Sequence, residues 1–143
     1  MRAFKRLLLT TAGVIGLFGC ASSQQHQSVY EGLGEMQGIE AITDSFIQHI
    51  AKDEDIFPYF AKASVSHFRQ GFITHLCDAA GGPCEYQGDN MVDIHTGMNI
   101  TEADFNRVVE LLVLSLQENE VDYPTQNRLL KVLAPVRPQV MGL

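Results

Sequence analysis

Histidine and cysteine side chains are the groups in this chain best suited to bind a metal or to react. The 143 residues include five histidines and three cysteines. His95 ends the short segment Met91–His95, Gly97 follows it, and a new helix is predicted to begin after Thr101. A neutral imidazole held between two helical segments is a common transition-metal ligand. Taken alone, however, a histidine in this setting is more often a loop or core residue.

Two of the cysteines are spaced as a disulfide rather than as metal ligands. Cys77 and Cys84 are seven residues apart, and Gly81-Gly82-Pro83 between them allows the chain to fold back. In an oxidising compartment such a pair forms a disulfide, which would close a loop of about eight residues and stabilise the fold by roughly 2–3 kcal/mol. Two free thiols are the alternative. A Cys-x-x-Cys redox motif is missing, and a zinc site would need a second pair of ligands.

The third cysteine, Cys20, ends a segment that is typical of exported proteins. Three basic residues among the first six precede an uncharged, mostly apolar stretch over residues 7–19. This stretch is too short to cross a bilayer but fits the core of a signal peptide. Its end, Leu17-Phe18-Gly19-Cys20, resembles a bacterial lipobox, which implies cleavage before Cys20 and acyl chains that anchor Cys20 in a membrane. An ordinary secretory signal and a buried N-terminal helix are the alternatives.

The expected organisation is therefore a signal peptide over residues 1–19, a polar tether over residues 20–28 and one domain over residues 29–143. Ala21 follows the lipidated cysteine, which favours an outer-membrane lipoprotein facing the periplasm. The domain is acidic: without the three N-terminal basic residues, seven Lys and Arg stand against 17 Asp and Glu, a net charge of −10. Such a surface repels nucleic acid, which makes nucleic-acid binding a poor hypothesis.

The apolar periodicity predicts an all-α domain. Steps of three and four residues predict helices over residues 38–52, from residue 64 or 66 to about residue 80, and beyond Thr101. Thr101 and Asp104 match a capping box, and Pro124 is suited to begin the last helix. Residues 29–34 read as a tight corner, and Ile56–Phe60 as a buried one. No alternation typical of strands and no internal repeat are present.

These features, in this order, resemble the group one truncated haemoglobins, short globins folded two helices over two. The resemblance spans about residues 29–140. It rests on Tyr30…Leu33-Gly34, Phe46, Phe57-Pro58-Tyr59-Phe60, Gly81-Gly82-Pro83 with Tyr86 and Gly88, Met91…His95-x-Gly97, Ile100-Thr101…Asp104-Phe105 and Leu133-Ala134-Pro135. Each feature alone is weak evidence, but their order and spacing are specific. An exported form with two cysteines also resembles a branch of that family.

The resemblance implies a b-type haem between two helical hairpins. His95 matches the proximal histidine, which binds the iron and leaves its sixth position open to a diatomic gas. Phe60 matches the phenylalanine that packs against the haem, and Tyr86 is expected near a haem propionate. The residues expected to line the haem pocket are Ile47, Phe60, Phe68, Phe72, His75, Tyr86, Met91, Phe105, Val108 and Leu112.

The distal side, where a gas would bind, departs from the family pattern. Group one members often carry a tyrosine directly after the second-helix phenylalanine, whereas this chain has Ile47 there. Phe68 and Phe72 occupy the third-helix positions expected to face the iron, one of which is often glutamine in the family. His75 is the nearest polar candidate, although it fits a partly exposed helix histidine equally well. Without a hydrogen-bond donor we expect weaker oxygen binding, and a smaller effect on carbon monoxide and nitric oxide.

Two functions follow from the resemblance. The first is a haem globin of the cell envelope that binds O₂, NO or CO, for oxygen binding or nitric-oxide detoxification. The second is a haem redox or gas-sensor protein in which His75 or another group fills the sixth position. A helical lipoprotein without haem is disfavoured by the presence of His95. No catalytic Ser-His-acid grouping is recognisable, so a hydrolase of that kind does not compete with these two functions. Whether the haem protein is an enzyme stays open. Nitric-oxide turnover would need electrons from a separate, unidentified reductase.

Overall fold

The computed structural model describes residues 27–143, which form an all-α domain, as predicted. Among these residues no strand is present. The helices are α1 Val29–Gly32, α2 Glu35–Lys52, α3 Phe57–Phe60, α4 Val65–Ala79, α5 Met91–His95, α6 Glu102–Glu118 and α7 Tyr123–Leu133, followed by a 3-10 helix at Ala134–Gln139. The expected signal peptide, Cys20 and the tether up to residue 26 lie outside the described residues. No helix within residues 27–143 is long and apolar enough to cross a membrane.

Side-chain caps fix where most of the helices begin. Thr101 accepts a hydrogen bond from the backbone of Asp104, whose carboxylate accepts one from the backbone of Thr101, so the predicted capping box is confirmed. Ser64 rather than Ser66 caps α4. Ser28, expected to end the tether, caps α1. Each cap satisfies backbone N–H groups that the first helical turn leaves without partners.

Two local predictions near the start of the domain are corrected. Residues 29–34 contain the short helix α1 before the chain turns at Gly34, whose φ of 84° lies in the left-handed region. Helix α2 begins at Glu35, three residues before the predicted start. Gly38 therefore lies inside the helix, and a Cβ there would come within 1.8 Å of the Leu33 carbonyl oxygen. The glycine permits close approach of the preceding turn and does not mark a boundary.

Helix α2 is central because both α4 and α6 pack against it. Helix α7 packs on α1 and on α4, and α5 packs on the C-terminal 3-10 helix. The buried core is formed by Ile39, Ile42, Phe46 and Ile50 of α2, Ile73, Leu76 and Cys77 of α4, Leu111, Leu112 and Leu116 of α6, and Leu129 of α7. Helices α4 and α5 do not pack closely against each other.

The corner at α3 is only partly buried. Ile56 is fully buried, but the side chain of Phe57 is 46% exposed, so the predicted buried corner is wrong for this residue. Successive side chains of a helical turn point about 100° apart, and the inward direction is taken by Ile56 and Phe60. Phe57 consequently lies at the surface, beside a small cavity that Phe60 and Phe68 also line.

The predicted disulfide is confirmed: the sulfur atoms of Cys77 and Cys84 are 1.99 Å apart and the Cα atoms 5.7 Å apart. It joins the buried end of α4 to the loop that carries Tyr86. Gly82 lies between them, and a Cβ there would come within 2.5 Å of the Tyr30 ring and 2.8 Å of the Cys77 sulfur. Only glycine therefore fits where this loop folds back.

Candidate functional site

His95 has the geometry of a metal ligand whose ring is oriented by the backbone. It is the last residue of α5 and is half-buried, and its Nδ1 lies 2.7 Å from the carbonyl oxygen of Met91. A carbonyl only accepts hydrogen bonds, so Nδ1 of the neutral ring donates its proton and Nε2 keeps the lone pair. Within residues 27–143, Nε2 makes no hydrogen bond. Ligating histidines are commonly held in this way, through the ring nitrogen that does not bind the metal.

The chain leaves His95 through a turn built from two left-handed residues. The turn covers residues 96–101, and Gly97 and Asn99 have φ angles of 84° and 52°. The Asn99 side chain donates to the carbonyl oxygen of Gly97 at 3.2 Å. Asparagine tolerates the left-handed region because its short polar side chain bonds locally. Thr101 then caps α6, so α5 and α6 are joined in a defined direction.

The C-terminal segment supports the turn at residues 96–101. This contact was not predicted from the sequence. The backbone N–H of Asn99 donates to the carbonyl oxygen of Leu143 at 3.0 Å, and that of Gly142 donates to the carbonyl oxygen of Ile100 at 3.1 Å. These bonds join segments that are distant in sequence and involve only backbone groups. No residue type in either segment indicates such a pairing.

A cluster of four phenylalanines, which we call the phenylalanine wall, consists of Phe46, Phe60, Phe68 and Phe72. Phe46 and Phe72 stack with ring centroids 4.9 Å apart, and Phe60 meets Phe68 edge-on at 5.0 Å. Phe68 and Phe72 stack at 5.5 Å. Phe46 is buried, whereas the other three rings are half-buried. The wall offers dispersion contacts and no hydrogen-bond donor.

A small apolar cavity adjoins this wall. Its volume is about 60 Å³, and it is lined by Ile47, Ile50, Ala51, Phe57, Phe60, Ala63, Val65 and Phe68. Ile47, Phe60 and Phe68 were all predicted to line the pocket, and the structure places them around one space. None of the lining side chains carries a hydrogen-bond donor. The distal role expected of these residues stays a prediction.

His75 and Tyr86 form a separate pair at the other end of α4. Their ring centroids are 5.1 Å apart in an edge-to-face arrangement. Burial lowers the pKa of His75, opposed by the charge of Asp78, and burial raises the pKa of Tyr86. The Tyr86 hydroxyl donates to the carbonyl oxygen of Asp89 at 3.0 Å. His75 thus packs on Tyr86 and does not line the cavity beside the phenylalanine wall.

Tyr86 borders a second, larger cavity between α4 and the loop that follows the disulfide. Its volume is about 270 Å³, and it is lined by His67, Gln70, Gly71, Thr74, Glu85, Tyr86, Gln87 and Gly88. A Cβ at Gly88 would come within 2.5 Å of the Tyr86 hydroxyl, so glycine lets that ring lie against the loop. Most of the lining side chains carry polar groups, in contrast with the cavity beside the phenylalanine wall.

The half-buried apolar residues fit a large, flat, apolar cofactor. Phe60, Phe68 and Phe72 of the phenylalanine wall, and Met91, Phe105 and Val108 of α5 and α6, are neither fully buried nor fully exposed. Leu112, also predicted to line the pocket, is 6% exposed and belongs to the core. One free imidazole nitrogen beside uncovered apolar surface suits haem. Residues 27–143 contain no cluster of three or more His, Cys, Asp or Glu side chains that would suit a metal bound by protein alone.

Comparison with known proteins agrees with this geometry. The group 1 truncated haemoglobin of Tetrahymena pyriformis is 29% identical over 116 residues, covering 81% of this chain and 96% of that protein. The group 1 truncated haemoglobin of Mycolicibacterium paratuberculosis is 26% identical over 113 residues, covering 79% and 83%. The crystal structure of the Tetrahymena pyriformis protein in its Fe(III) form is 29% identical and matches with a TM-score of 0.79, over 82% of this chain and 100% of that chain.

The predicted truncated globin fold, two helices over two, is thereby confirmed. A family model described as bacterial-like globin matches residues 28–141, which is nearly the whole described domain. The chain therefore belongs to the bacterial-like globin family.

Proposed function

We propose that this chain is a gas-binding haem globin of the cell envelope in which His95 is the protein's axial ligand to iron. As a member of the globin family it has haem as its cofactor and diatomic gases as its ligands. Bound haem supplies an iron atom that can take a gas on the side opposite the axial histidine. The observation that carries the assignment of His95 is its hydrogen bond to the Met91 carbonyl oxygen, which leaves Nε2 free.

The residues of this chain have distinct tasks in the proposed site. His95 supplies the nitrogen lone pair, and the turn after it holds the ring in place. The phenylalanine wall and the adjoining cavity exclude water and accept small apolar gases. They provide no donor that would favour oxygen over carbon monoxide or nitric oxide. Oxygen binding and nitric-oxide detoxification are both included in this proposal, and the second requires an electron-donating partner.

An open sixth position is better supported than an endogenous sixth ligand. His75 was the candidate for that ligand, but its ring packs edge-on against Tyr86 at 5.1 Å. The residues beside the phenylalanine wall are apolar and cannot bind iron. The haem redox or sensor function, which needs a second protein ligand, therefore has less support.

The haem assignment is tested by absorption spectroscopy of the purified protein with His95→Gly as the variant. We expect a Soret band that shifts on reduction and again on addition of carbon monoxide. His95→Gly should lose haem or show an altered spectrum, and added imidazole should restore it because the ligand can enter the vacated space. His49→Gln is the matched control, because it also removes a histidine. His49 lies on α2, and its Nε2 is 3.0 Å from a carboxylate oxygen of Glu118 on α6. A variant at position 95 that kept the unmodified spectrum without imidazole would refute the role of His95.

The envelope location rests on the lipobox-like end of the leader and on the disulfide. Disulfides persist in oxidising compartments, which supports export of the domain. Labelling of producing bacteria with radioactive palmitate, followed by membrane fractionation, tests the proposal. The unmodified protein should carry label and sediment with outer membranes, whereas Cys20→Ser should lose both properties. Unlabelled, soluble protein in both cases would contradict lipidation.

A further inference from the structure

One carboxylate oxygen at the start of α6 accepts three hydrogen bonds. Oδ2 of Asp104 accepts from the backbone N–H of Thr101 at 2.9 Å and from its hydroxyl at 2.6 Å. The third donor is the hydroxyl of Tyr59 at 2.8 Å, which lies 45 residues earlier in the chain. The first two bonds form a local helix cap, but the third joins two elements that are remote in sequence. The carboxylate therefore does more than begin a helix.

The two ends of this link belong to two parts of the proposed haem site, the phenylalanine wall and the turn that follows His95. Tyr59 lies in α3 directly before Phe60, which contacts Phe68 in the phenylalanine wall. Thr101 ends the turn that begins after His95. The Tyr59 hydroxyl thus connects the element that carries Phe60 to the turn that follows the proposed iron ligand.

Hydrogen bonds hold the turn at residues 96–101 from more than one side. Gly97 is exposed and left-handed, and a Cβ there would meet no atom within 4 Å, so packing contributes little to the turn at this residue. The Asn99 and Gly142 backbone bonds hold the turn from the C-terminal side. Tyr59 holds it from the α3 side. The Arg107 side chain also joins α6 to the end of α2, through a hydrogen bond of 2.7 Å to Asp53. Arg107 lies about one helical turn beyond Asp104 and is therefore further along the chain from His95.

We propose that Tyr59 is a positioning residue whose hydroxyl, through Asp104 and Thr101, holds the turn at residues 96–101 and so sets the position of the His95 ring. The role rests on the proposed function, in which His95 binds iron. The hydroxyl touches neither iron nor gas, and its effect passes entirely through the backbone of the turn. The hydrogen bonds from Thr101 and from Tyr59 keep the pKa of Asp104 below its usual range, so the acceptor stays ionised near neutral pH.

The test compares Tyr59→Phe with Tyr123→Phe in the haem-loaded protein. Each variant removes one hydroxyl and keeps the ring, but Tyr123 is 73% exposed and makes no side-chain hydrogen bond within residues 27–143. The iron–histidine stretching band in resonance Raman spectra reports directly on the proximal bond. We expect Tyr59→Phe to shift or broaden this band, and to speed haem transfer to an apomyoglobin trap about tenfold, the lower end of the range for a hydrogen bond to a charged group. Tyr123→Phe should change neither.

The outcomes separate this inference from the proposed function. Absence of an iron–histidine band from the unmodified protein would refute both. A normal band in the unmodified protein that Tyr59→Phe leaves unchanged in position and width would refute only the positioning role. A lower melting temperature in Tyr59→Phe with an unchanged band would also refute it, because the hydrogen bond would then be purely structural.

Discussion

Replacing Ile47 with tyrosine tests whether the missing donor limits oxygen binding. Ile47 shares the cavity of about 60 Å³ with Phe60 and Phe68, so part of a larger ring has space to enter. The new hydroxyl would be the first donor beside the phenylalanine wall. One neutral hydrogen bond contributes about 0.5–1.5 kcal/mol net, which corresponds to an oxygen dissociation rate about 2- to 12-fold lower. The same bond should change carbon monoxide dissociation much less.

The assay is stopped-flow release of oxygen in the presence of excess carbon monoxide. Ile47→Phe is the matched control, because it adds almost the same ring and therefore the same crowding, without the hydroxyl. The decisive quantity is the ratio of the two dissociation rates. Equal rates for the tyrosine and phenylalanine variants would show that the position does not reach the gas, and would refute the distal placement of Ile47.

Three further predictions concern stability. Replacing Cys77 and Cys84 together by alanine should lower the free energy of unfolding in urea by about 2.5 kcal/mol, the chain-entropy value for an eight-residue loop, and an unchanged value would contradict this. Burial lowers the pKa of His75, so the unfolded chain binds a proton more readily. Stability should therefore fall as the pH drops below the ordinary histidine value of about 6.5, and urea titrations of His75→Gln should lack this component. In thermal melts, Gly71→Ala within α4 should stabilise the fold by about 0.5–1 kcal/mol, because alanine favours a helix more than glycine does. Gly97→Ala should destabilise the fold by about 1–2 kcal/mol, because alanine is strained in the left-handed region. Shifts of the same sign in both variants would refute this argument from backbone conformation.

The surroundings of His95 were predictable because their determinants are local in sequence. The cap at Thr101 and its partner Asp104 are three residues apart, and the spacing alone predicts the bond that the structure contains. Gly97 marks one of the two left-handed residues of the turn. The disulfide was predictable for the same reason, since a glycine-rich corner separates its cysteines by only seven residues. Short loops leave few alternative geometries.

The links between distant elements were not predictable in the same way. Tyr59 lies in an aromatic corner, and nothing in its neighbours indicates that Asp104, 45 residues later, accepts its hydrogen bond. The backbone pairing of Asn99 with Leu143 leaves no trace in side-chain type. Gly38 misled the prediction of where α2 begins. Glycine usually signals a boundary, but here the close approach of the Leu33 carbonyl oxygen requires it inside a helix.

Three polar side chains considered for the site have partners within the domain. The Tyr59 hydroxyl donates to Asp104, the Tyr86 hydroxyl donates to Asp89, and the His75 ring packs on Tyr86. The cavity beside the phenylalanine wall is apolar and cannot distinguish gases by hydrogen bonding. On the proposal that His95 binds iron, gas affinity in this chain is then adjusted mainly from the proximal side, by how firmly the turn holds the imidazole. Tyr59→Phe should consequently alter the affinities for oxygen and carbon monoxide in the same direction, whereas Ile47→Tyr should alter the affinity for oxygen much more than that for carbon monoxide.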